Sequence, residues 1–471
     1  MNIILLISDT YRYDNLFDRA AAGPMGMPVR TPNLDAFSRR AVSLSRLYTS
    51  SFPTIPHRTD LTTGRFGWPW YGWQDLRKSS KNHLPKILAG CGYKSQLICD
   101  CPHLFNSGFQ YGFNAAVRTR GQEGDNYFLH LNDPVARAMD PAKTRRDAGL
   151  ESPLVDMHRW QNASWRHESD RFAPRTAQLA VEWLEDNYRF DPLFLWVDWF
   201  DPHEPWDPPE YLVRRYDGDY DGPPMLHPNY GKAKVYTKAE LRNLRAHYCA
   251  EAEMVDRAVG RVLQKIDDLG LWNNSIVIFT TDHGFSIGER NYTGKSNISP
   301  NDKRYWPLYP EIAHIPLMIA APGLKGGRTV REIVQVPDIL PTILELAGRK
   351  GAKTDEPLHG RSFAGLLRGR RGAKGRAFAV TAGRNRPDER GRVAKRATTP
   401  GVYTKKWAYY PIGAAGRPEL YDLADDEYCL HNVAADHPKL CKAMHGHLLE
   451  FLRDHDAPDE VIQLYGAGGI G

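Results

Sequence analysis

Residues 1–9 read Met-Asn-Ile-Ile-Leu-Leu-Ile-Ser-Asp, an apolar run of strand length that ends in a serine and an acid. A continuous apolar run of this length, bounded by polar residues, is typical of a strand that is buried on both faces. Similar runs return at 95–99, 193–197, 275–280 and 317–321. Helical patterns separate them, which predicts an α/β fold with a mostly parallel central sheet and helices on both faces.

Residues 237–270 carry the clearest helical pattern of the chain. Thr237 stands at the N-cap position with Glu240 three residues later, as in a capping box, and Gly270 provides the stop. Apolar residues recur at helical spacing between these two ends. A second helix is predicted over 176–188.

The bulk composition narrows the class of protein. The chain has 471 residues, of which 41% are hydrophobic and 25% charged, and this is ordinary for a folded protein. A net charge of +6 fits an anionic substrate but is too small to indicate a nucleic-acid partner. The six cysteines are too sparse for a disulfide framework, and we expect reduced thiols. The first apolar run has no basic leader and is short for a membrane span, so we expect a cytoplasmic protein without a membrane partner.

Two segments have a different composition from the rest. Residues 111–173 are polar and weakly periodic, and we interpret them as a long insertion over the sheet edge, where substrate selectivity often resides. Residues 360–396 are rich in arginine and lysine. A solvated loop face is the favoured interpretation, and a homo-oligomer contact or an anion-facing lid is the alternative.

Two of the predicted strands run into acidic residues. The first is followed by Asp9, and the strand near 280 is followed by Asp282-His283-Gly284. Ligands of an open parallel sheet gather at the carboxyl ends of its strands, so these side chains are expected at one edge. Their oxygen and imidazole atoms suit one divalent cation, and manganese, calcium, magnesium and zinc are all compatible. Taken singly, each motif is more often a turn.

Residues 54–65 read Thr-Ile-Pro-His-Arg-Thr-Asp-Leu-Thr-Thr-Gly-Arg, which resembles the sulfatase signature Cys/Ser-x-Pro-x-Arg-x-x-x-x-Thr-Gly-Arg. Further segments resemble landmarks of the same family in the same order, from one end of the chain to the other. They are 31–35 (TPNLD), 193–205 (LFLWVDWFDPHEP), 276–284 (IVIFTTDHG), 336–342 (VPDILPT) and 419–423 (ELYDL). The chain is identified as a member of the sulfatase-like branch of the alkaline phosphatase superfamily, which includes arylsulfatases and phosphonate monoester hydrolases.

The resemblance implies a domain organisation. A catalytic α/β domain is expected over residues 1–355 and a smaller C-terminal α+β subdomain over 356–471. In the family this subdomain holds a short antiparallel sheet packed by a terminal helix. Strand candidates are 401–410 and 418–423, and the helix candidate is 438–455.

Thr54 stands where the family carries the cysteine or serine that is oxidised to formylglycine. Threonine cannot become an aldehyde, so a Thr54 nucleophile would pass a phosphoryl-type group to water instead. The resemblance also makes the Thr54 hydroxyl a ligand of the cation, beside Asp9, Asp282 and His283.

The resemblance implies roles for three further residues. Arg58 matches the signature arginine that holds the nucleophile and a substrate oxygen, a task suited to a guanidinium. His203 matches the histidine that contacts the substrate or leaving group and protonates it. Lys295 lies thirteen positions after Asp282, where phosphonate monoester hydrolases place an active-site lysine, and Lys303 is the competing candidate.

The chain departs from the family at two places. Thr10 stands where many sulfatases have a second metal-binding Asp, so the metal shell loses a ligand or uses Thr10 itself. Asp100 replaces a sulfate-binding lysine, whereas His103 matches a substrate-side histidine. Reversing the charge at position 100 would weaken the attraction for a sulfate-like transition state, each such contact being worth on the order of a few kcal/mol.

The leading hypothesis is metal-assisted hydrolysis of a small anionic ester, a phosphodiester or a phosphonate monoester, with Thr54 as the nucleophile. Three alternatives stay open. The chain is a sulfuric ester hydrolase in which Thr54 binds rather than attacks, a phosphoryl-group transferase, or a catalytically inactive relative that binds an anion.

Overall fold

The apolar runs of the sequence form the strands of a central sheet. The computed structural model describes residues 1–16, 25–122, 125, 135–145, 153–296, 306–383 and 399–466. Their strands are β1 (Asn2–Ser8), β2 (Val42–Tyr48), β3 (Lys94–Cys99), β4 (Ala115–Arg118), β5 (Leu193–Trp199), β6 (Ser275–Thr281), β7 (Ser286–Ile287), β8 (Thr293–Gly294), β9 (His314–Ala320), β10 (Arg328–Val330), β11 (Val334–Gln335), β12 (Ala379–Thr381), β13 (Gly401–Tyr403), β14 (Trp407–Tyr410) and β15 (Glu419–Asp422).

Helices fill the connections between these strands. Within the same described ranges they are α1 (Pro32–Arg40), α2 (Thr54–Thr63), α3 (Leu76–Ser79), α4 (Leu84–Ala89), α5 (Pro102–Asn106), α6 (Leu154–Gln161), α7 (Phe172–Asn187), α8 (Glu210–Val213), α9 (Lys238–Asp268), α10 (Pro310–Ala313), α11 (Ile339–Leu346), α12 (Ala364–Leu367), α13 (Pro438–Asp454) and α14 (Asp459–Tyr465). None of the helices in this part of the chain has both the length and the apolar character needed to cross a membrane.

The central sheet is mostly parallel, as predicted. Its strand order is β10-β2-β9-β6-β1-β5-β3-β4, and β11 also pairs with β2. Only β9 among these strands is antiparallel to its neighbours, β2 and β6. β1 lies between β5 and β6 and is parallel to both, with Ser8 beside Trp199 and Thr281. The carboxyl ends of β1, β5 and β6 therefore meet at one edge.

Both faces of the sheet are covered, and β1 shows how. Ile4 and Leu6 join a core that contains the apolar faces of α1, α7 and α9. Ile3, Leu5 and Ile7 point to the opposite side, into a core shared with α2, α4 and α11. Since successive strand side chains alternate between faces, a run that is apolar at every position is what a doubly covered strand requires.

The two predicted helices are present, with different bounds. The Thr237 Oγ1 accepts from the Glu240 amide at 3.2 Å, and the Glu240 carboxylate accepts from the Thr237 amide at 2.8 Å, so the predicted capping box of α9 is confirmed. α7 begins at Phe172, earlier than predicted. The amide of Ala173, the second residue of the helix, donates to the Asp201 carboxylate at 3.2 Å. A side chain from a distant part of the chain thus pairs with one of the free amides at the start of α7.

The C-terminal elements form the predicted short antiparallel sheet. Its order is β12-β13-β14-β15, and the predicted strand at 401–410 is two strands, β13 and β14, joined by a turn. The apolar face of α13 packs on this sheet. Two aromatic residues that follow α2, Phe66 and Trp68, are buried in the same core, where the Phe66 ring lies 4.9 Å from that of Phe451. Their aromatic surface stabilises the fold.

Two predicted segments are described only in part. Of the insertion at 111–173, residues 123–124, 126–134 and 146–152 lie outside the described ranges, as do residues 384–396 of the basic segment. Within the described part of the insertion, β4 pairs with β3 and extends the central sheet by one edge strand. α6 follows before α7.

The Asp282-His283-Gly284 turn packs closely on α10. The Gly284 amide donates to the Ile312 carbonyl at 2.9 Å, and a Cβ at position 284 would lie 2.1 Å from the Glu311 carbonyl oxygen. A side chain at position 284 would therefore collide with the backbone of α10, and this close approach, rather than a special backbone conformation, accounts for a glycine at this position.

We expect Gly284→Ala to lower the free energy of unfolding by about 1–3 kcal/mol, because the added methyl group forces the backbone of α10 away. Gly351→Ala is the matched control, since a Cβ there would have no atom within 4 Å. The midpoint of urea unfolding measures both variants. Equal midpoints for the two would contradict the packing explanation.

Candidate active site

α2 carries Thr54 at its first position, and Asp60 fixes the segments on either side of the helix. The Asp60 carboxylate accepts from the amides of Ser51 at 3.1 Å and Gly67 at 2.7 Å. The helix ends at Gly64, whose φ of 65° is left-handed and suits glycine. Thr54 is 3% exposed, so it is buried at the start of the helix.

Arg58 follows Thr54 by one helical turn and joins α2 to three strands of the sheet. Its Nε and Nη2 donate to the two oxygens of Asp198 at 2.9 and 2.8 Å. Its Nη1 donates to Asp282 at 2.7 Å, to Asp9 at 3.1 Å and to the Thr54 carbonyl at 3.2 Å. All four charged side chains are fully buried. The guanidinium therefore holds acids from β1, β5 and β6 around the start of α2.

Asp198 is a site residue that the sequence analysis missed. It lies within β5, in the run Leu193–Trp199, where every neighbour is buried. The signal was present, because an acid inside a fully buried strand needs a charged or hydrogen-bonding partner. The identity of that partner depends on the packing of α2 on the sheet.

Asp9, Asp282 and His283 form a candidate metal site. One ligand atom from each lies within 4.8 Å of the others, and all three residues are buried. The Nδ1 of His283 donates to the Gly284 carbonyl at 2.9 Å, whereas its buried Nε2 has no hydrogen-bond partner. Burial lowers the pKa of His283 to about 3, so the ring is neutral and Nε2 carries a lone pair. An orphaned imidazole nitrogen aimed at two carboxylates fits a divalent cation.

The electrostatics of the acid pair also fit a cation. Burial and the neighbouring Asp282 raise the pKa of Asp9 well above its ordinary value. Two buried carboxylates this close disfavour each other's ionisation. A divalent ion between them would remove that penalty, and the residues available to hold it are Asp9, Asp282 and His283.

Thr10 sits beside this cluster in a strained conformation. Its φ of 60° is left-handed, a region that β-branched residues rarely occupy. In this conformation its amide donates to Asp282 at 3.0 Å and its Oγ1 donates to Asp9 at 2.7 Å. The Thr10 hydroxyl is therefore held next to the candidate metal ligands.

Lys295 reaches the site from the end of the β7–β8 hairpin. Its side chain is 5% exposed, and its Nζ donates to the Thr10 Oγ1 at 3.2 Å and to Glu204 at 3.4 Å. A buried ammonium two hydrogen bonds from Asp9 can contact a substrate oxygen there. Lys303, the competing candidate, lies outside the described residues.

His203 and His103 lie on a row of rings. The His203 Nδ1 is 2.7 Å from the Glu204 carbonyl, and since a carbonyl only accepts, Nδ1 is the donor. The His203 ring stacks on Phe200 with centroids 4.2 Å apart, and His103 lies edge-on to Phe200 at 5.6 Å. The half-buried Trp73 is edge-on to His103 at 5.0 Å. Both histidines thus pack against the ring of Phe200.

Asp100 has a different environment from the other residues singled out by the sequence. Its carboxylate accepts from the Thr176 hydroxyl at 2.9 Å and from the Phe200 amide at 2.5 Å. It is fully buried, and burial together with Asp201 raises its pKa well above the ordinary value. Its hydrogen bonds join β3, α7 and the segment after β5, and within the described residues none of its side-chain hydrogen bonds involves Arg58, Lys295 or His203.

Several known proteins resemble this chain in sequence. The sequence pattern of the family described as Sulfatase matches residues 1–349. The endo-4-O-sulfatase of Bacteroides thetaiotaomicron is 26% identical over 399 residues, which cover 78% of this chain and 73% of that protein. An arylsulfatase of Clostridium perfringens is 25% identical over 384 residues, which cover 74% of each chain.

The fold recurs in solved structures. The phosphonate monoester hydrolase of Agrobacterium radiobacter superposes with a TM-score of 0.71 at 23% identity, and the match covers 96% of both chains. The α/β sheet with its C-terminal antiparallel sheet is thus the alkaline phosphatase-like architecture predicted from the sequence. With the family pattern spanning most of the chain, this protein belongs to the sulfatase family and is a hydrolase of ester bonds.

Proposed function

We propose that the chain is a metal-dependent hydrolase that cleaves a phosphodiester or a phosphonate monoester, with Thr54 as the nucleophile. The observation that carries the proposal is the position of Thr54. A side chain that cannot be converted to formylglycine heads α2, one turn before the arginine that contacts Asp9 and Asp282. An activated hydroxyl in that place can form and release a phosphoryl ester.

A solved structure supports a phosphorus ester as the substrate. The solved phosphonate monoester hydrolase shares the fold over nearly the whole chain. The substrate proposed here is a small ester whose reacting group is anionic, in keeping with the buried cation Lys295.

Each residue has a task in this reaction. A divalent cation held by Asp9, Asp282 and His283, with the Thr54 hydroxyl and Thr10 as further candidate ligands, would neutralise charge on the reacting group and lower the pKa of the nucleophile. Arg58 keeps Asp9 and Asp282 in place, and Lys295 binds a nonbridging oxygen. With such a cation bound, the site would present positive charge where the transition state accumulates negative charge.

Hydrolysis proceeds through a phosphoryl ester of Thr54. The Thr54 oxygen gives its proton to water and forms a bond to phosphorus, while the bond to the leaving-group oxygen breaks. His203, protonated on both nitrogens, gives its Nε2 proton to that oxygen and keeps the Nδ1 proton that it donates to the Glu204 carbonyl. A second water molecule then attacks phosphorus and the bond to Thr54 breaks. One proton of that water restores the Thr54 hydroxyl, the other stays on the product, and His203 regains its proton from solvent.

A sulfuric ester hydrolase is the second candidate, since the curated relatives named above are sulfatases. In that case Thr54 would bind the sulfate group rather than attack it. Parallel assays on aryl sulfates, aryl phosphodiesters and aryl phosphonate monoesters distinguish the two. A phosphoryl transferase would add the group to an alcohol acceptor, and absence of turnover on all three esters would favour an anion-binding protein.

We expect Thr54→Val to lower kcat on the preferred ester by roughly 10³-fold or more, because it keeps the β-branched shape and removes the hydroxyl. Thr54→Ser keeps the hydroxyl and, with the serine shown by mass spectrometry to be unmodified, should retain activity within about tenfold of the wild type. Thr63→Val, on the same helix, is the matched control. Full activity of Thr54→Val would exclude Thr54 as the nucleophile.

We expect chelator-treated protein to regain activity and thermal stability when one of the four candidate ions is added. An ion at 100 times its Kd stabilises the folded state by about 2.7 kcal/mol. Asp282→Asn should abolish the ion-dependent recovery of activity and of thermal stability. Asp221→Asn, at an exposed position, should leave both unchanged. Thermal unfolding with Mn²⁺, Mg²⁺, Ca²⁺ and Zn²⁺ in turn is the measurement. Full activity in the chelator-treated protein would contradict the metal site.

A further inference from the structure

Glu204 is a fully buried carboxylate that the sequence analysis did not single out. It follows His203 in the segment after β5 and has 0% side-chain exposure. Its Oε1 accepts from the Tyr230 hydroxyl and lies 3.8 Å from an Arg145 nitrogen. Its Oε2 lies 3.4 Å from both the Lys295 Nζ and the His203 Nδ1. A buried acid with this many donors and cations around it is held in one position.

The charges around Glu204 are unequal. Lys295 and Arg145 are cationic and almost completely buried, with side-chain exposures of 5% and 9%. His203 is a third group that is cationic when protonated, and Tyr230 is a neutral donor. The Glu204 carboxylate lies 3.8 Å from the Arg145 guanidinium and 3.4 Å from the Lys295 ammonium. Without it, Lys295 would lose the acid that lies 3.4 Å from its Nζ.

This charge balance is coupled to the reacting end of the site. The Lys295 Nζ donates to the Thr10 Oγ1 at 3.2 Å, and that hydroxyl donates to Asp9 at 2.7 Å. The ammonium thus lies between Glu204 and the candidate metal ligands. A change in the charge of Glu204 would alter the electrostatic potential at the position of a nonbridging substrate oxygen, because the interior screens charges weakly.

We propose that Glu204 is a specificity-determining residue that offsets the charge of Lys295 and Arg145, and thereby favours reacting groups with one negative charge over those with two. The inference rests on the proposed function and deepens it. Phosphodiesters, phosphonate monoesters and sulfate esters carry one negative charge on the reacting group, whereas a phosphate monoester carries close to two at neutral pH. If the positive charge of Lys295 and Arg145 were not offset, the site would favour phosphate monoesters.

The test compares two simple anions in binding experiments on the metal-loaded protein. Sulfate carries two negative charges and methyl sulfate carries one, with nearly the same shape. We expect Glu204→Gln to raise the affinity for sulfate relative to methyl sulfate by about tenfold, since the variant adds one net positive charge near the second anionic oxygen. Isothermal calorimetry measures both dissociation constants.

Two further variants separate charge from packing. Tyr230→Phe removes a hydrogen bond to Glu204 and keeps its charge, so the ratio of the two affinities should stay at the wild-type value. Lys295→Met removes a cation and should lower the affinity for sulfate relative to methyl sulfate. An unchanged ratio in Glu204→Gln, with both anions weakened equally, would overturn the proposal and leave Glu204 a structural residue.

The kinetic counterpart compares an aryl phosphodiester with an aryl phosphate monoester. Glu204→Gln should shift the ratio of their kcat/KM values toward the monoester by a similar factor. If no ester is hydrolysed, the proposed function fails while the binding ratio still decides the role of Glu204. If esters are hydrolysed and neither ratio moves, the role of Glu204 fails and the proposed function stands.

Discussion

The buried guanidinium of Arg58 is the interaction on which the site depends. It binds Asp198 with two parallel hydrogen bonds and reaches Asp9 and Asp282 with its remaining terminal nitrogen. These acids come from three adjacent strands, and none could be buried with its charge unless a cation stood beside it. Because Arg58 is on the same helix as Thr54, the contact that neutralises the acids also sets the position of the proposed nucleophile.

Buried cations are paired with acids outside the site as well. Arg12, fully buried after β1, pairs with Asp14 at 2.6 Å and with Glu289 at 2.7 Å, close to the hairpin that delivers Lys295. Removing one member of such a pair leaves the other buried without a partner, which typically costs about 3–5 kcal/mol. The interior around the site is therefore polar and rigid at once, and its groups are already oriented before a substrate arrives.

Much of the fold could be predicted from the sequence because it follows from local rules. Apolar runs became buried strands, the capping box at Thr237 started α9, and acids after β1 and β6 arrived at one edge. The earlier start of α7 could not be predicted, because Asp201 supplies its cap from another segment. Asp198 and Glu204 were missed for a related reason. Their roles depend on which cation packs beside them, and a single sequence carries no record of that pairing.

The left-handed backbone of Thr10 bears on which side chains could serve as ligands of the candidate metal site. A left-handed backbone costs a β-branched residue of order 1–3 kcal/mol, whereas asparagine and aspartate tolerate it well. The main chain at position 10 already has a conformation that suits an acid, and such an acid would add a fourth candidate ligand beside Asp9, Asp282 and His283. Replacing Thr10 with aspartate would relieve the backbone strain and add a negative charge to the candidate metal site. One substitution at position 10 would therefore turn the candidate metal site into a more acidic one.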